Sequence, residues 1–198
     1  MILDKDPGAK ALIFDIDGTL ADTMPIHYSA WKAMGLKHGF HYPEDLFYEL
    51  AGIPTSHIVP IINERLGLSL DPEQVVVEKE GEFLRMIHET QPISPIIDVA
   101  KRWRGRVPMS LGTGGRRDIA LLTLEAVGLA GFFDIMVAAE DVEHHKPAPD
   151  TFLECARLMN VEPRFCQVFE DGELGIEAAK RAGMIVTDVR PFLVQKSV

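Results

Sequence analysis

The sequence predicts an α/β protein in which a helical cap is inserted into a doubly wound parallel sheet. Short apolar segments alternate with amphipathic segments of about ten residues across 95–198, which is typical of parallel α/β folds. Ala11–Phe14 is apolar throughout, as in a strand buried on both faces of a sheet. Between these regions, residues 21–94 carry only helical patterns. We therefore expect an α/β core at 1–20 and 95–198 and a helical cap at 21–94.

The cap is expected to contain four helices. The first begins near Pro25, which suits a first helical turn, and a short second helix follows. The third covers residues 55–66, where Pro60 should kink or interrupt it. The fourth begins after Asp71, which is followed by proline and glutamine in the pattern of a capped start. Four charged residues on this helix are predicted to form a solvated face: Glu78, Lys79, Glu80 and Glu82.

The core elements after the cap alternate regularly. Helices are predicted at 96–104, 119–127, 151–159 and 173–182, and strands at 107–111, 135–139, 165–169 and 185–189. With the strand at Ala11–Phe14, they form a Rossmann-like sheet whose carboxyl ends share one rim. Ligands of open α/β sheets bind at that rim.

Composition limits the partners and the compartment. A formal net charge of −10 argues against a nucleic acid or an anionic membrane surface, since both require a basic face. Cys155 and Cys166 have no metal-ligand or redox spacing, so we expect two core thiols in a reducing compartment. No leader pattern or membrane-spanning apolar run occurs. These features predict a cytoplasmic protein, expected to be a monomer, that acts on a small molecule.

Chemically distinctive residues follow four of the predicted strands. They are Asp15 and Asp17, Thr113 in a glycine-rich turn, Lys146, and the pair Glu170 and Asp171. Four converging carboxylates raise one another's pKa values, and they stay ionised together only if a cation joins them. Oxygen ligands of this kind favour Mg²⁺. A cation, a lysine and backbone N–H groups suit a phosphate ester, with one aspartate attacking phosphorus and the other transferring protons.

These residues, in order, resemble the four motifs of the haloacid dehalogenase-like superfamily. The run from Phe14 to Thr19 resembles the nucleophile motif, and the others match at Thr113, Lys146-Pro147 and Glu170-Asp171-x-x-x-Gly175-Ile176. The cap is similar to that of the β-phosphoglucomutase branch, as are Asp22-Thr23, His27 and Trp31. Within that branch, Gly112-Thr113-Gly114 and the run from His144 to Asp150 resemble the bacterial fructose-1-phosphate phosphatases.

The resemblance implies a role for each matched residue. Asp15 would be the nucleophile and Asp17 the general acid and base. Mg²⁺ would be held by Asp15, the backbone carbonyl of Asp17, and Asp171, with Glu170 nearby. Three residues would hold the phosphoryl oxygens: Thr113, Gly114 and Lys146. Four further residues are candidates for substrate contact: His27, Trp31, Gly52 and Arg116.

One departure from the mutase pattern bears on the reaction. Where mutases carry a lysine and an arginine in a cap loop, this chain has Ala51 and Thr55. Two cations that would bind a second phosphate are therefore missing, which favours a phosphatase, with fructose 1-phosphate as the best substrate. A β-phosphoglucomutase stays open, because Arg116 or Arg117 could compensate. A non-catalytic sugar-phosphate-binding module is the third alternative.

Overall fold

The computed structural model describes residues 3–193, so the predicted core limits at residues 1 and 198 lie outside the described part. The strands are β1 (Ala11–Phe14), β2 (Ala21–Asp22), β3 (Gln91–Pro92), β4 (Met109–Gly112), β5 (Met136–Val137), β6 (Cys166–Glu170) and β7 (Ile185–Asp188). Five of them form a parallel sheet in the order β5-β4-β1-β6-β7, so β1 lies at its centre. The predicted parallel sheet is confirmed.

Eight α-helices accompany these strands within residues 3–193. Those between β2 and β3 are α1 (Met24–His38), α2 (Glu44–Glu49), α3 (Thr55–Leu66) and α4 (Pro72–Met86). Those after β3 are α5 (Ser94–Trp103), α6 (Arg117–Ala126), α7 (Asp150–Met159) and α8 (Glu173–Arg181). As predicted, the Asp71 side chain caps α4 by accepting hydrogen bonds from two backbone N–H groups.

The alternating side chains of β1 divide the core between the two faces of the sheet. Leu12 and Phe14 pack in a cluster with residues of α5 and α6, whereas Ala11 and Ile13 pack with residues of α7 and α8. The Phe14 ring stacks on Phe169 of β6, with 4.8 Å between the centroids. Because helices cover both faces, β1 is buried throughout and its carboxyl end is fixed in the middle of the rim.

The helices α1–α3 share an apolar cluster of their own with Val75 at the start of α4. Pro60 was expected to kink or interrupt α3, and it does not interrupt the helix, which runs continuously from Thr55 to Leu66. A kink at Pro60 stays a prediction. A proline removes one helical hydrogen bond, but Val59 and Ile62 beside it are fully buried and anchor the helix.

A short ladder joins the two chain segments that lead into and out of the helical region. The strands β2 and β3 pair antiparallel, with Ala21 opposite Pro92 and Asp22 opposite Gln91. Two-residue strands carry no periodic pattern, so this ladder was absent from the sequence prediction. It lies close to the predicted boundaries at residues 20 and 95, which stay a prediction.

Two predicted strands differ from those observed by more than one residue at an end. The strand predicted at 107–111 begins only at Met109, after Pro108, which has no N–H to donate to a ladder. The strand predicted at 135–139 is reduced to Met136–Val137. It ends there because the chain turns, and the Asp141 carboxylate accepts a hydrogen bond from the N–H of Ala138.

The structure of residues 3–193 bears on two further predictions, which concern the cysteines and membrane-spanning segments. Both cysteines are free thiols and buried, which agrees with their prediction as core residues. No helix in the described part of the chain is long and apolar enough to cross a membrane.

Candidate active site

The rim of the sheet brings Asp15, Lys146 and Glu170 into direct contact. Lys146 Nζ lies 2.7 Å from Asp15 Oδ1 and 2.7 Å from Glu170 Oε2. All three side chains are buried, at 6% exposure or less. Asp15 follows the central strand β1 and Glu170 ends its neighbour β6, so the parallel pairing itself places these two acids side by side.

Two glycines allow the acids to approach the backbone closely. A Cβ at Gly18 would overlap the carboxylate of Asp171, and Gly18 also has φ +84°, which disfavours other residues. A Cβ at Gly175 would overlap the carboxylate of Glu170. Oδ1 of Asp171 accepts a hydrogen bond of 2.8 Å from the Thr19 hydroxyl. Both carboxylates are therefore held in place by the local chain.

The cluster carries more negative than positive charge. Burial and the neighbouring Glu170 raise the pKa of Asp15 well above its usual range. The same two causes raise the pKa of Asp171 to about 7. Burial would lower the pKa of Lys146, but its contacts with Asp15 and Glu170 raise it instead. One lysine thus faces several carboxylates in a site with little access to water.

This donor set fits a divalent cation. One oxygen from each of Asp15, Glu170 and Asp171 lies within 4.8 Å of the others. Carboxylate oxygens are the ligands that Mg²⁺ prefers, and a cation among them would relieve the repulsion that raises their pKa values. The Asp17 carboxylate does not belong to this group, which leaves its backbone carbonyl as the predicted contact.

Asp17 is held in a different environment from Asp15. Its Oδ1 accepts a hydrogen bond of 2.7 Å from Thr23 and lies 3.3 Å from Nε2 of His27. Burial alone would raise the pKa of Asp17, but the hydrogen bonds from His27 and Thr23 and the nearby charge of Lys79 lower it below its ordinary value. The two aspartates of the motif therefore have pKa values shifted in opposite directions.

A lysine that the sequence prediction placed in solvent orients this histidine. Lys79 Nζ lies 2.9 Å from Nδ1 of His27. An ammonium group has only donors, so Nδ1 accepts, and the ring proton sits on Nε2, where it is donated to Asp17. The ring of His27 also stacks on Phe83, with 4.1 Å between the centroids. Helix α4 thereby determines how His27 meets Asp17.

The prediction of a solvated face is wrong for Lys79 and Glu80. The side chain of Lys79 is 5% exposed and that of Glu80 is 14% exposed. Lys79 belongs to a buried row with Val75 and Phe83, each four residues from the next, which packs α4 inward. This i, i+4 spacing around two apolar residues was the sequence signal that could have identified Lys79.

The turn after β4 lies against the loop between α2 and α3. Thr113 is buried, and its hydroxyl oxygen accepts a hydrogen bond of 2.9 Å from the N–H of Gly115. A Cβ at Gly114 would overlap the backbone carbonyl of Gly52, which belongs to the loop between α2 and α3. The absence of a side chain at Gly114 thus allows this loop to reach the rim of the sheet.

A cavity of about 300 Å³ lies between the helical region and the rim. Its lining includes nearly all predicted site residues: Asp15, Asp17, His27, Trp31, Gly52, Thr113, Gly114, Arg116, Glu170 and Asp171. Trp31 packs mainly in the apolar cluster of the cap, 4.9 Å from the ring of Tyr42. Arg116 forms a bidentate ion pair with Asp118, at 3.0 and 2.8 Å, which ties it to the first turn of α6.

Comparison with known proteins places this arrangement in a family. Residues 9–183 match the family model described as haloacid dehalogenase-like hydrolase. The chain belongs to this family, and the prediction that it is an enzyme of the hydrolase class is confirmed.

Individual proteins within and near this family resemble the chain over most of its length. The chain is 45% identical to fructose-1-phosphate phosphatase YqaB of Escherichia coli over 179 residues, which cover 90% of this chain and 95% of the relative. It is 34% identical to a phosphorylated carbohydrates phosphatase of Thermotoga maritima, over 88% of this chain and 82% of the relative. A crystal structure of β-phosphoglucomutase from Clostridium difficile matches with a TM-score of 0.82 at 25% identity, over 91% of this chain and 84% of that one.

Proposed function

We propose that this protein is a Mg²⁺-dependent phosphatase that hydrolyses the phosphate ester of a small sugar. The observation that carries the proposal is the contact of Asp15 with Lys146 beside two further carboxylates, Glu170 and Asp171, which line one cavity together with Asp15. A nucleophile, a cation and a group of metal ligands in one place suit phosphoryl transfer, which depends on charge neutralisation and positioning. Relatives named as phosphatases support the same reaction.

The proposed reaction has two steps. A carboxylate oxygen of Asp15 attacks phosphorus, the bond from phosphorus to the sugar oxygen breaks, and Asp17 donates a proton to that oxygen. Water then attacks the aspartyl phosphate, Asp17 takes the proton, and Asp15 is released with inorganic phosphate. Mg²⁺, held by Asp15, the Asp17 carbonyl and Asp171 with Glu170 nearby, would neutralise phosphoryl oxygens.

Proton transfer requires Asp17 to change its protonation state. In the free enzyme the hydrogen bond with His27 keeps its pKa low, so the carboxylate is ionised. A bound phosphate brings further negative charge beside Asp17 and raises its pKa, which prepares it as a general acid. Thr113, Gly114 and Lys146 would bind the phosphoryl oxygens during both steps.

Fructose 1-phosphate is the substrate that we propose first. It is the substrate named for the Escherichia coli relative, and Ala51 and Thr55 supply no cation for a second phosphate. The two arginines that could compensate in a mutase are already paired, Arg116 with Asp118 and Arg117 with Asp141. These ion pairs favour the phosphatase over the β-phosphoglucomutase.

The test is phosphate release from a panel of sugar phosphates, with Mg²⁺ and with EDTA. We expect EDTA-sensitive release that favours fructose 1-phosphate over β-glucose 1-phosphate. Asp15→Asn should lower the rate by ~10⁴-fold or more, since it removes the nucleophile. Asp98→Asn, at an exposed position of α5, is the matched control and should leave the rate unchanged.

Three outcomes would decide against the proposal. Conversion of β-glucose 1-phosphate to glucose 6-phosphate without phosphate release would establish the mutase. Tight binding of sugar phosphates with no turnover would establish a binding module. Turnover by Asp15→Asn close to that of the unmodified enzyme would exclude Asp15 as the nucleophile.

A further inference from the structure

The wall of the cavity contains a carboxylate with one unpartnered oxygen. Glu80 lies on α4 and lines the cavity together with Lys79 and Thr55. Its Oε1 accepts hydrogen bonds from the Thr55 hydroxyl at 3.1 Å and from Lys79 Nζ at 3.2 Å. Its Oε2 is buried and receives no hydrogen bond from any residue among 3–193. Burying a carboxylate oxygen without a hydrogen-bond donor is unfavourable, so we expect this atom to have a donor in the functioning protein.

The surrounding residues do not supply that donor. The Lys79 ammonium is shared between Oε1 of Glu80 and the ring of His27. Arg116, the nearby guanidinium in the cavity lining, is held by Asp118. Glu80 lines the cavity, so a molecule bound there is the donor that remains. A carboxylate accepts hydrogen bonds from hydroxyl groups and repels phosphate.

We propose that Glu80 is a specificity-determining residue, which accepts a hydrogen bond from a hydroxyl at the unphosphorylated end of the substrate and excludes sugar bisphosphates. This inference rests on the proposed function, since it takes the phosphate end to lie at Asp15 and Lys146. A cavity of about 300 Å³ suits a single small sugar phosphate. Glu80 thus replaces, with opposite charge, the cations that would hold a second phosphate.

The test compares three probes in the unmodified enzyme and in Glu80→Gln, with Mg²⁺ saturating. Fructose 1-phosphate has hydroxyls for Glu80, fructose 1,6-bisphosphate has a second phosphate, and p-nitrophenyl phosphate has neither. We expect Glu80→Gln to lower kcat/KM for fructose 1-phosphate by about 10- to 100-fold, the range of a charged hydrogen bond. Its kcat/KM for p-nitrophenyl phosphate should change less than about 3-fold, and its preference for the monophosphate over the bisphosphate should fall.

Two further variants distinguish the effects of the charge and length of the Glu80 side chain from a nonspecific loss of activity. Glu80→Asp keeps the charge but withdraws it by one methylene, so it should still reject the bisphosphate while losing kcat/KM for the monophosphate. Glu82→Gln is the matched control, because Glu82 lies on the same helix, pairs with Arg85 and is outside the cavity lining. Equal losses on fructose 1-phosphate and p-nitrophenyl phosphate in Glu80→Gln would overturn the proposal, since they would indicate an effect through Lys79 and His27.

A binding measurement keeps this inference separate from the proposed reaction. In an Asp15→Asn background, titration calorimetry with fructose 1-phosphate and with inorganic phosphate reports affinity without turnover. Adding Glu80→Gln should weaken fructose 1-phosphate binding and leave inorganic phosphate binding unchanged. Unchanged affinity for fructose 1-phosphate would overturn the role of Glu80. Failure of the proposed function alone would show as binding that depends on Glu80 without any phosphate release by the unmodified enzyme.

Discussion

Asp15 and Lys146 are 131 positions apart in the chain, yet their charged groups meet at 2.7 Å with both side chains buried. Lys146 also touches Glu170 at the same distance, so one ammonium group balances two carboxylates. Lys146 therefore stabilises the fold in addition to serving the site. The pairing of β1 with β6 brings two carboxylates together, and the ammonium group offsets their repulsion.

We predict that Lys146→Met destabilises the protein and lowers its activity. Both buried carboxylates would lose their partner, and breaking a buried ion pair in this way costs about 3–5 kcal/mol. Loss of a phosphoryl-oxygen donor should also lower kcat by ~10²–10³-fold. Urea unfolding in EDTA measures the first effect and phosphate release the second. Lys180→Met, at an exposed position, is the control, and an unfolding midpoint equal to it would contradict the prediction.

We predict that Gly114→Ala impairs the enzyme without unfolding it. The new methyl group would overlap the carbonyl of Gly52, so the loop between α2 and α3 would have to move away from the rim. Substrate would then be enclosed less completely, and kcat/KM for a sugar phosphate should fall by ~10²-fold, as for misplaced positioning groups. Steady-state kinetics test this, and an unchanged kcat/KM would show that the contact is unimportant for turnover.

We predict that Gly81→Ala stabilises the protein and leaves its activity unchanged. Gly81 lies within α4, and a Cβ there would meet nothing within 4 Å. Alanine has the higher helix propensity, so the substitution should increase the free energy of unfolding by about 0.5–1 kcal/mol. Chemical denaturation checks the gain, and kinetics with a sugar phosphate should match those of the unmodified enzyme. A loss of stability would mean that α4 is not helical at this position in solution.

Both cysteines should resist alkylation in the native protein. Burial raises the pKa of Cys155 to about 12 and that of Cys166 to about 11, so at pH 8 both stay in the thiol form, which is the unreactive one. Mass spectrometry after treatment with iodoacetamide should find neither residue modified in the native state and both modified in urea. Modification of Cys155 in the native protein within minutes would show that the packing of α7 against β4 opens readily.

The sequence predicted best those features that depend on strand ends. Asp15, Thr113 and Glu170 are fixed to the rim once their strands are placed, because parallel strands share one direction. The burial of Lys79 and Glu80 was missed because it depends on how α4 is rotated about its axis. Charged residues on a helix are usually solvated, and only the row through Val75 and Phe83 indicated otherwise. The tautomer of His27 likewise depends on a contact between two helices.

The order of the sheet also has a consequence for biosynthesis. The strand β1 ends at Phe14, but its two neighbours begin only at Met109 and Cys166, so Asp15 is synthesised well before either strand that flanks it. Lys146 leaves the ribosome before Glu170 and Asp171 do. The ammonium group that neutralises the cluster is therefore already part of the chain when the last two carboxylates are added.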